Sequence, residues 1–343
     1  MTEHIIWKEN QLHLLDQRRL PFKKVYVKCK TLRDITKVIK NMTIRGAPLI
    51  GIVAAYGVFL GLREVLRGRK RITEIDVNRV FQALKATRPT AVNLTWALDR
   101  MVNTYRQYKD SDDLLDALLQ AAIAIHVEDV ENNRTLARYG SELIDDGDVI
   151  LTHCNAGSLA TGGYGTALGV IRAAHESGKR IRVIATETRP YLQGARLTAW
   201  ELYEDGIDVE LVPDNHVGLL CWRGLINKMI VGADRIAANG DVANKVGTYL
   251  LALAAHEHNI PFFVAAPKST FDPVVKSGHQ IEIEERPGNE VVVLQGKRLT
   301  LKGVKGRYFA FDITPARLIT YIITENGVMD KPFSKYIKLL FSA

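Results

Sequence analysis

Along the first part of the chain, apolar positions recur at helical spacing. The periodicity predicts helices over 32–40, 47–62, 77–86 and 92–105, and a long one over 112–144 with few breakers. The opening differs: Leu12 and Leu14, then Val25 and Val27, alternate around a turn at Pro21 and predict a small strand pair. From Gly147 the rhythm changes to short apolar runs at 149–152, 182–185, 209–212, 229–231 and 262–265. Helical stretches at 165–176, 194–204 and 245–258 separate them. Strands covered on both faces read as continuous apolar runs, so this half predicts a parallel sheet with crossover helices. The expected fold class is α/β. A mainly helical N-terminal domain over 1–125 carries the strand pair, a connecting helix covers 126–146, and the α/β domain covers 147–343.

Composition narrows the class of protein. A length of 343 residues suits two domains of roughly 150 each, and 47% hydrophobic with 24% charged residues is a soluble globular mixture. The net charge of +8 fits anionic small molecules as well as nucleic acid. The basic run Arg67, Arg69, Lys70 and Arg71 lacks interleaved aromatics or a nucleic-acid module; it reads as a solvated loop, and no nucleic-acid partner is expected. Cys29, Cys154 and Cys221 are odd in number and far apart, which predicts reduced thiols and a cytoplasmic protein. Residues 1–10 carry Glu3, Lys8 and Glu9 where a secretion signal would be apolar. The greasy run 47–62 falls short of the ~18–20 residues that span a bilayer, so a buried helix and no membrane partner are expected. His256-Glu257-His258 puts two histidines on different faces of a helix, and no metal is implied.

Open parallel sheets bind ligands beyond the carboxyl ends of their strands, and the polar residues of this chain cluster there. The strand ends read His153-Cys154-Asn155-Ala156-Gly157, Thr186-Glu187-Thr188-Arg189, Pro213-Asp214-Asn215, Gly232-Ala233-Asp234-Arg235 and Pro267-Lys268-Ser269. The glycine-rich 157–165 segment joins a strand to a helix, where free amides would suit a phosphate; the alternative is a tight turn and nothing more. It matches neither a Walker loop nor a G-x-G-x-x-G fingerprint, which disfavours a nicotinamide dehydrogenase. Cys154, between strand and helix, is placed for thiolate chemistry or is a buried inert cysteine. Asp234 is a partly desolvated acid or a helix cap. Asn244 and Lys245 could contact a sugar hydroxyl and a phosphate. Arg45-Gly46-Ala47-Pro48 and Thr87-Arg88-Pro89 each set a cation ahead of an apolar helix, as anion contacts or as solvated helix starts.

Together these motifs resemble the family of methylthioribose-1-phosphate isomerases, which also includes the regulatory subunits of translation initiation factor 2B. The resemblance is nearly full length. It rests on the segments Leu14-Leu15-Asp16-Gln17-Arg18-Arg19-Leu20-Pro21, Arg45-Gly46-Ala47-Pro48, Thr87-Arg88-Pro89-Thr90-Ala91-Val92-Asn93-Leu94 and Thr152-His153-Cys154-Asn155-Ala156-Gly157. It continues through Glu187-Thr188-Arg189-Pro190-Tyr191-Leu192-Gln193-Gly194, Gly232-Ala233-Asp234-Arg235-Ile236, Asn244-Lys245-Val246-Gly247-Thr248, Ile283-Glu284-Glu285-Arg286 and Phe311-Asp312-Ile313-Thr314-Pro315.

The resemblance implies a Rossmann-like C-terminal domain and a cofactor-independent aldose–ketose isomerase of methionine salvage, acting on a small phosphorylated pentose as a homodimer. It implies Cys154 and Asp234 as the catalytic pair, and Arg45, Gly46, Ala47, Arg88, Gln193, Asn244 and Lys245 as the substrate-binding set. The substrate's anomeric oxygen is esterified, so its ring needs an acid near the ring oxygen to open; Asp234 is the candidate. Hydrogen then moves from C2 to C1, through Cys154 thiolate as base or as a sheltered hydride shift. Thr186 and His216-Val217 depart from the family pattern and leave the C5 group open, so a 5-deoxyribose 1-phosphate isomerase is an alternative. A noncatalytic subunit that senses phosphorylated ligands is another.

Overall fold

The computed structural model describes residues 2–69 and 71–342; Lys70, a member of the basic run, and the terminal Met1 and Ala343 lie outside the described residues. The chain forms two compact units. One holds Met1–Arg134 together with Gly157–Gly165, and the other holds Thr135–Ala156 with Thr166–Ala343.

The first unit opens with an antiparallel sheet, β1 (Ile5–Lys8), β2 (Gln11–Leu15) and β3 (Tyr26–Cys29), in that spatial order. The expected pair is β2 and β3, and β1 adds a third strand. The β1–β2 hairpin turns on Glu9 and Asn10, both at positive φ (52° and 57°), the geometry that two-residue hairpin loops require. Helices α1 (Leu32–Lys40), α2 (Ala47–Gly68), α3 (Glu74–Lys85), α4 (Val92–Tyr108) and α5 (Leu114–Ser141) follow. Thr31 with Asp34, and Thr73 with Asp76, form capping boxes that start α1 and α3. The boundary between the units falls within α5.

Helix α2 is the core of this unit. Every residue from Ala47 to Leu62 is buried, and the helix then runs past the expected end because Arg63, Glu64 and Arg67 continue it toward solvent. At 22 residues α2 is long and apolar enough to cross a membrane by length and composition, yet 78% of its most apolar window is buried inside the protein. Its glycines let neighbours approach. A Cβ on Gly51 would lie 2.5 Å from the Asn93 carbonyl oxygen of α4, and one on Gly57 would lie 2.8 Å from Ile35 of α1.

The second unit carries a seven-stranded sheet. Its strands are β4 (Val149–Thr152), β5 (Arg182–Thr186), β6 (Val209–Val212), β7 (Lys228–Val231), β10 (Phe262–Ala265), β13 (Tyr321–Thr324) and β14 (Gly327–Met329), in the order β14-β13-β10-β7-β4-β5-β6. All neighbours are parallel except the hairpin β13–β14 at the edge. From β4 the chain builds outward through β5 and β6, then returns to the other side of β4 with β7. That is the doubly wound, Rossmann-like order, and its switch point lies between β4 and β7. Helices α6 (Ala167–Glu176), α7 (Ala199–Glu204), α8 (Val217–Trp222), α9 (Thr248–Glu257) and α10 (Phe333–Leu340) complete the unit. The predicted helix over 194–204 begins with a π-helical turn, Gly194–Thr198, before α7.

One expectation is corrected: the helix predicted over 245–258 begins only at Thr248, and Lys245 belongs to a strand. Val242–Lys245 is β9, in a second sheet of order β11-β8-β9-β12 with β8 (Arg235–Ala237), β11 (Phe271–Asp272) and β12 (Phe311–Thr314). Pairing with β12, more than sixty residues away, fixes β9 as a strand, and Gly247 at φ 108° breaks the chain before α9 begins.

Replacing Gly51 by Ala forces α2 and α4 apart. We expect a loss of about 1–3 kcal/mol in urea unfolding, the usual cost of overpacking; an unchanged midpoint would show that the two helices yield freely.

Candidate active site

Cys154 lies two residues past the end of β4 and sits in the left-handed region at φ 61°, unusual for a residue other than glycine, Asn or Asp. Two threonine hydroxyls hold it there. The Cys154 N–H donates to Thr188 Oγ1 at 2.8 Å, and the Thr198 hydroxyl donates to the Cys154 carbonyl at 2.5 Å. Thr188 is itself at φ 61°, and its amide and that of Arg189 donate to the Asp214 carboxylate at 2.6 Å each. Thr198 closes the π-helical turn. That turn packs against β5 so closely that a Cβ on Gly194 would stand 1.7 Å from the Thr186 carbonyl oxygen, so only glycine fits.

His153 fixes the other side of this strand end. Its Nε2 lies 3.0 Å from the Val246 carbonyl, which can only accept, so Nε2 carries the proton and Nδ1 accepts from the Thr186 hydroxyl at 2.6 Å. Burial holds the His153 pKa below its ordinary value, against the opposing pull of Asp214, and the ring is neutral.

Asp234 follows β7, the neighbour of β4 across the switch point. Its amide donates to the Ala243 carbonyl at 2.9 Å, which seats it beside Asn244 and Lys245 on β9. The exits of β4 and β7 touch: a Cβ on Gly232 would lie 2.8 Å from that of Ala156, and one on Gly247 would lie 3.1 Å from the His153 ring. Thus Cys154, Asp234, Asn244 and Lys245 are brought to one end of the sheet, at the crevice that the strand order defines.

Lys245 is buried in an aromatic setting. Its Nζ donates to the Tyr308 hydroxyl at 3.1 Å and lies 5.0 Å and 5.6 Å from the Phe311 and Tyr308 ring centres. Asn244 donates to Thr248 Oγ1 at 3.0 Å. Asp312, across β12 from Asn244, accepts from the Gly247 and Tyr249 amides at 2.6 Å and 3.2 Å and so caps α9. Burial pushes the Asp312 carboxyl up to about 6, although these amides and Lys245 pull the other way. Gln193 is buried before the π turn, and its Oε1 takes no hydrogen bond among the described residues. An orphan acceptor of this kind is a place for a ligand hydroxyl.

The remaining predicted residues lie in the first unit. Arg45, Gly46 and Ala47 lead into α2, with Arg45 and Ala47 buried, and Arg88 precedes α4. Because Gly51 touches Asn93, the amino-terminal ends of α2 and α4 come together, each with an arginine ahead of it; helix dipoles and cations there both favour an anion. Gly46 is at φ 105°, and a Cβ there would lie 2.4 Å from Ala160 Cα.

The glycine-rich segment differs from its expectation. It does not run straight into α6 but folds back into the first unit, where Gln17 Nε2, His4 Nε2 and His126 Nε2 meet the carbonyls of Leu159, Thr161 and Gly162. The Gly162 amide donates to Asp129 at 2.6 Å and the Gly163 amide to Thr161 Oγ1 at 3.2 Å, so neither is left for a phosphate. Of the two departures from the family pattern, Thr186 is the buried partner of His153, whereas His216 is exposed and Val217 is core. Sequence reasoning passed over Thr188, Thr198 and His153. The available signal was that His153 and Thr188 stand in strand-end motifs already singled out; Thr198, inside the helix predicted over 194–204, gave none.

A doubly wound sheet with a thiol and a carboxylate at its switch point, preceded by a helical unit, defines a Rossmann-like α/β protein built to hold a small polar ligand. The chain belongs to the initiation factor 2 subunit family, whose model matches residues 43–331. It is 55% identical over 337 residues to the methylthioribose-1-phosphate isomerase of Thermotoga maritima, covering 98% of this chain and 97% of that one. The 5-methylthioribose 1-phosphate isomerase of Pyrococcus horikoshii has a similar structure, with a TM-score of 0.90, 42% identity, and coverage of 99% and 96%. A protein described as translation initiation factor eIF-2B subunit delta from A. fulgidus also superimposes, with a TM-score of 0.85, 42% identity and 99% coverage of both chains.

The raised Asp312 pKa has a stability consequence. A carboxyl that is harder to ionise in the folded protein contributes its stability below the ordinary carboxylate range and loses it as pH rises through about 6. Between roughly pH 4 and pH 6, the wild type is expected to lose more stability than Asp312→Asn, by about 2–3 kcal/mol. Urea unfolding across that window reads the difference, and parallel curves would show that the carboxyl titrates normally.

Proposed function

We propose that this protein isomerises 5-methylthio-D-ribose 1-phosphate to 5-methylthio-D-ribulose 1-phosphate, the aldose–ketose step of methionine salvage. The observation that carries the reading is the placement of Cys154 and Asp234 at the ends of adjacent strands across the sheet's switch point, in a chain more than half identical to isomerases of that name.

The chemistry follows from the substrate. With its anomeric oxygen held in a phosphate ester, the sugar cannot open spontaneously. Asp234 gives a proton to the ring oxygen, and the bond from that oxygen to C1 breaks. C1 gains the hydrogen that leaves C2, and the C2 hydroxyl loses its proton to become the ketone, so atoms balance without an external redox partner. The thiolate of Cys154 serves the C2-to-C1 transfer as base; if the hydrogen instead moves as a hydride, a C2 deuterium is retained at C1 in ordinary water. A neutral His153 adds no competing charge beside the thiol.

Gln193, Asn244 and Lys245 are assigned to substrate hydroxyl and phosphate oxygens. The orphan Oε1 of Gln193 and the buried ammonium of Lys245 support those assignments. Arg45, Gly46, Ala47 and Arg88 are assigned to binding an anion on the preference of their helix starts. Three free cysteines suit the reducing cytoplasm, and the resemblance implies a homodimer working without a cofactor.

A coupled assay across the 1-phosphates of 5-methylthioribose, 5-deoxyribose and ribose tests the reading. The first is expected to have the highest kcat/KM; preference for the second would move the assignment to a 5-deoxyribose 1-phosphate isomerase. Binding without turnover would assign the chain to the regulatory side of its family, as the A. fulgidus protein is described. Cys154→Ser and Asp234→Asn are each expected to lower kcat by about 100-fold or more while circular dichroism stays unchanged. Near-normal turnover in either would remove that residue from the mechanism.

A further inference from the structure

A buried charged network lies behind Cys154, and the proposed chemistry does not use it. Arg172 on α6 and Glu201 on α7 are both almost fully buried, and Arg172 Nη2 donates to Glu201 Oε2 at 2.8 Å. Arg172 Nε donates to Asp205 at 2.6 Å. Burial alone would lower the arginine's pKa, but the two carboxylates outweigh it and raise it, so the guanidinium stays charged. Burying these charges carries a desolvation cost that apolar side chains in the same place would not.

The network ends on the reacting residue. Glu201 Oε1 accepts from Asn155 Nδ2 at 2.8 Å, and the same amide nitrogen donates to Thr198 Oγ1 at 3.1 Å. With its oxygen taking that bond, the Thr198 hydroxyl has one proton to give, and it goes to the carbonyl of Cys154. The hydrogen bonds diverge from the Asn155 amide nitrogen: one N–H is held by the anchored Glu201 carboxylate, which fixes the amide, and the other goes to Thr198, whose hydroxyl in turn donates to the backbone carbonyl of the left-handed cysteine.

We propose that the Arg172–Glu201 pair, acting through Asn155 and Thr198, is a positioning device that holds Cys154 in the left-handed turn from which its thiol works. Without the Thr198 hydroxyl the Cys154 carbonyl loses that hydrogen bond, and one of the two threonine ties on the torsion is gone. The thiol then moves by an amount small for the fold and large for a hydrogen transfer. The inference rests on the catalytic reading of Cys154, while its test includes a measurement that does not.

The test compares Thr198→Val, which keeps the shape and removes the hydroxyl, with Thr198→Ser, which keeps the hydroxyl. Two quantities are read: kcat and KM for the 1-phosphate, and the rate of Cys154 alkylation by iodoacetamide against pH, mapped by peptide mass spectrometry. Thr198→Val is expected to lower kcat by about tenfold or more with KM within about twofold, and to displace the alkylation profile. Thr198→Ser is expected to restore both. If Thr198→Val does not fold, Asn155→Ser cuts the same chain one link back and is read in the same way. A folded variant without the hydroxyl or the amide, yet with wild-type kcat and wild-type alkylation, overturns the proposal. Should Cys154→Ser remain active, the catalytic reading fails, and the alkylation profile still decides whether the network positions the thiol.

Discussion

The strand end that carries Cys154 depends on one backbone torsion. A cysteine at φ 61° costs of the order of 1–3 kcal/mol and persists only where its surroundings leave no alternative. Here the amide and the carbonyl of the same residue are each taken by a threonine hydroxyl, and both threonines are fixed in turn, one by Asp214 and the other by the π-helical turn it ends. Many features of the sheet end follow from keeping that torsion. Gly194 must lack a side chain so that the turn can lie on β5, and His153 must be neutral to accept from Thr186 while it ties β4 to the loop before α9. Strain is tolerated at this point because the chain needs a side chain to leave the strand in a direction that an extended residue could not give it.

Much of this was legible in the chain. The apolar runs of β4 and β10 coincide with their strands, since strands buried on both faces have little freedom to vary in hydropathy; β6 coincides as well, although it is a half-exposed edge strand. Helices α1 and α4 begin where the pattern placed them. Local patterning failed where the structure is decided by partners distant in sequence: β9 owes its conformation to β12, and the short strands β8 and β11 have no periodicity of their own. For the candidate site, the sequence named Cys154 and Asp234 from strand-end position and Asn244 and Lys245 from their residue types, and the motif resemblance added Gln193. The threonines that hold Cys154 were not readable as such, because a threonine beside a strand end looks the same whether it faces solvent or orients a backbone.

The environment of Lys245 shows how the second sheet serves the first. The Lys245 ammonium lies over two aromatic rings of that sheet and its flank and donates to a phenol, so it is surrounded by side chains rather than by water. Asp312 on the neighbouring strand accepts from the Gly247 and Tyr249 amides at the start of α9. The antiparallel strands added beside the doubly wound core thus supply a dry, positively charged wall next to the switch point.

The excursion Gly157–Gly165 governs the order in which the protein can be made. Its neck is a backbone bridge between Gly157 and Gly165, and the segment from Gly157 to Gly165 completes the first unit, although the chain has by then already laid down β4 of the second. A ribosome that has released only residues 1–134 has therefore exposed a helical body whose His4, Gln17, His126 and Asp129 still lack the carbonyls and amide they will bind. Maturation of the amino-terminal body must wait for sequence that emerges later, which couples the birth of the two halves in time.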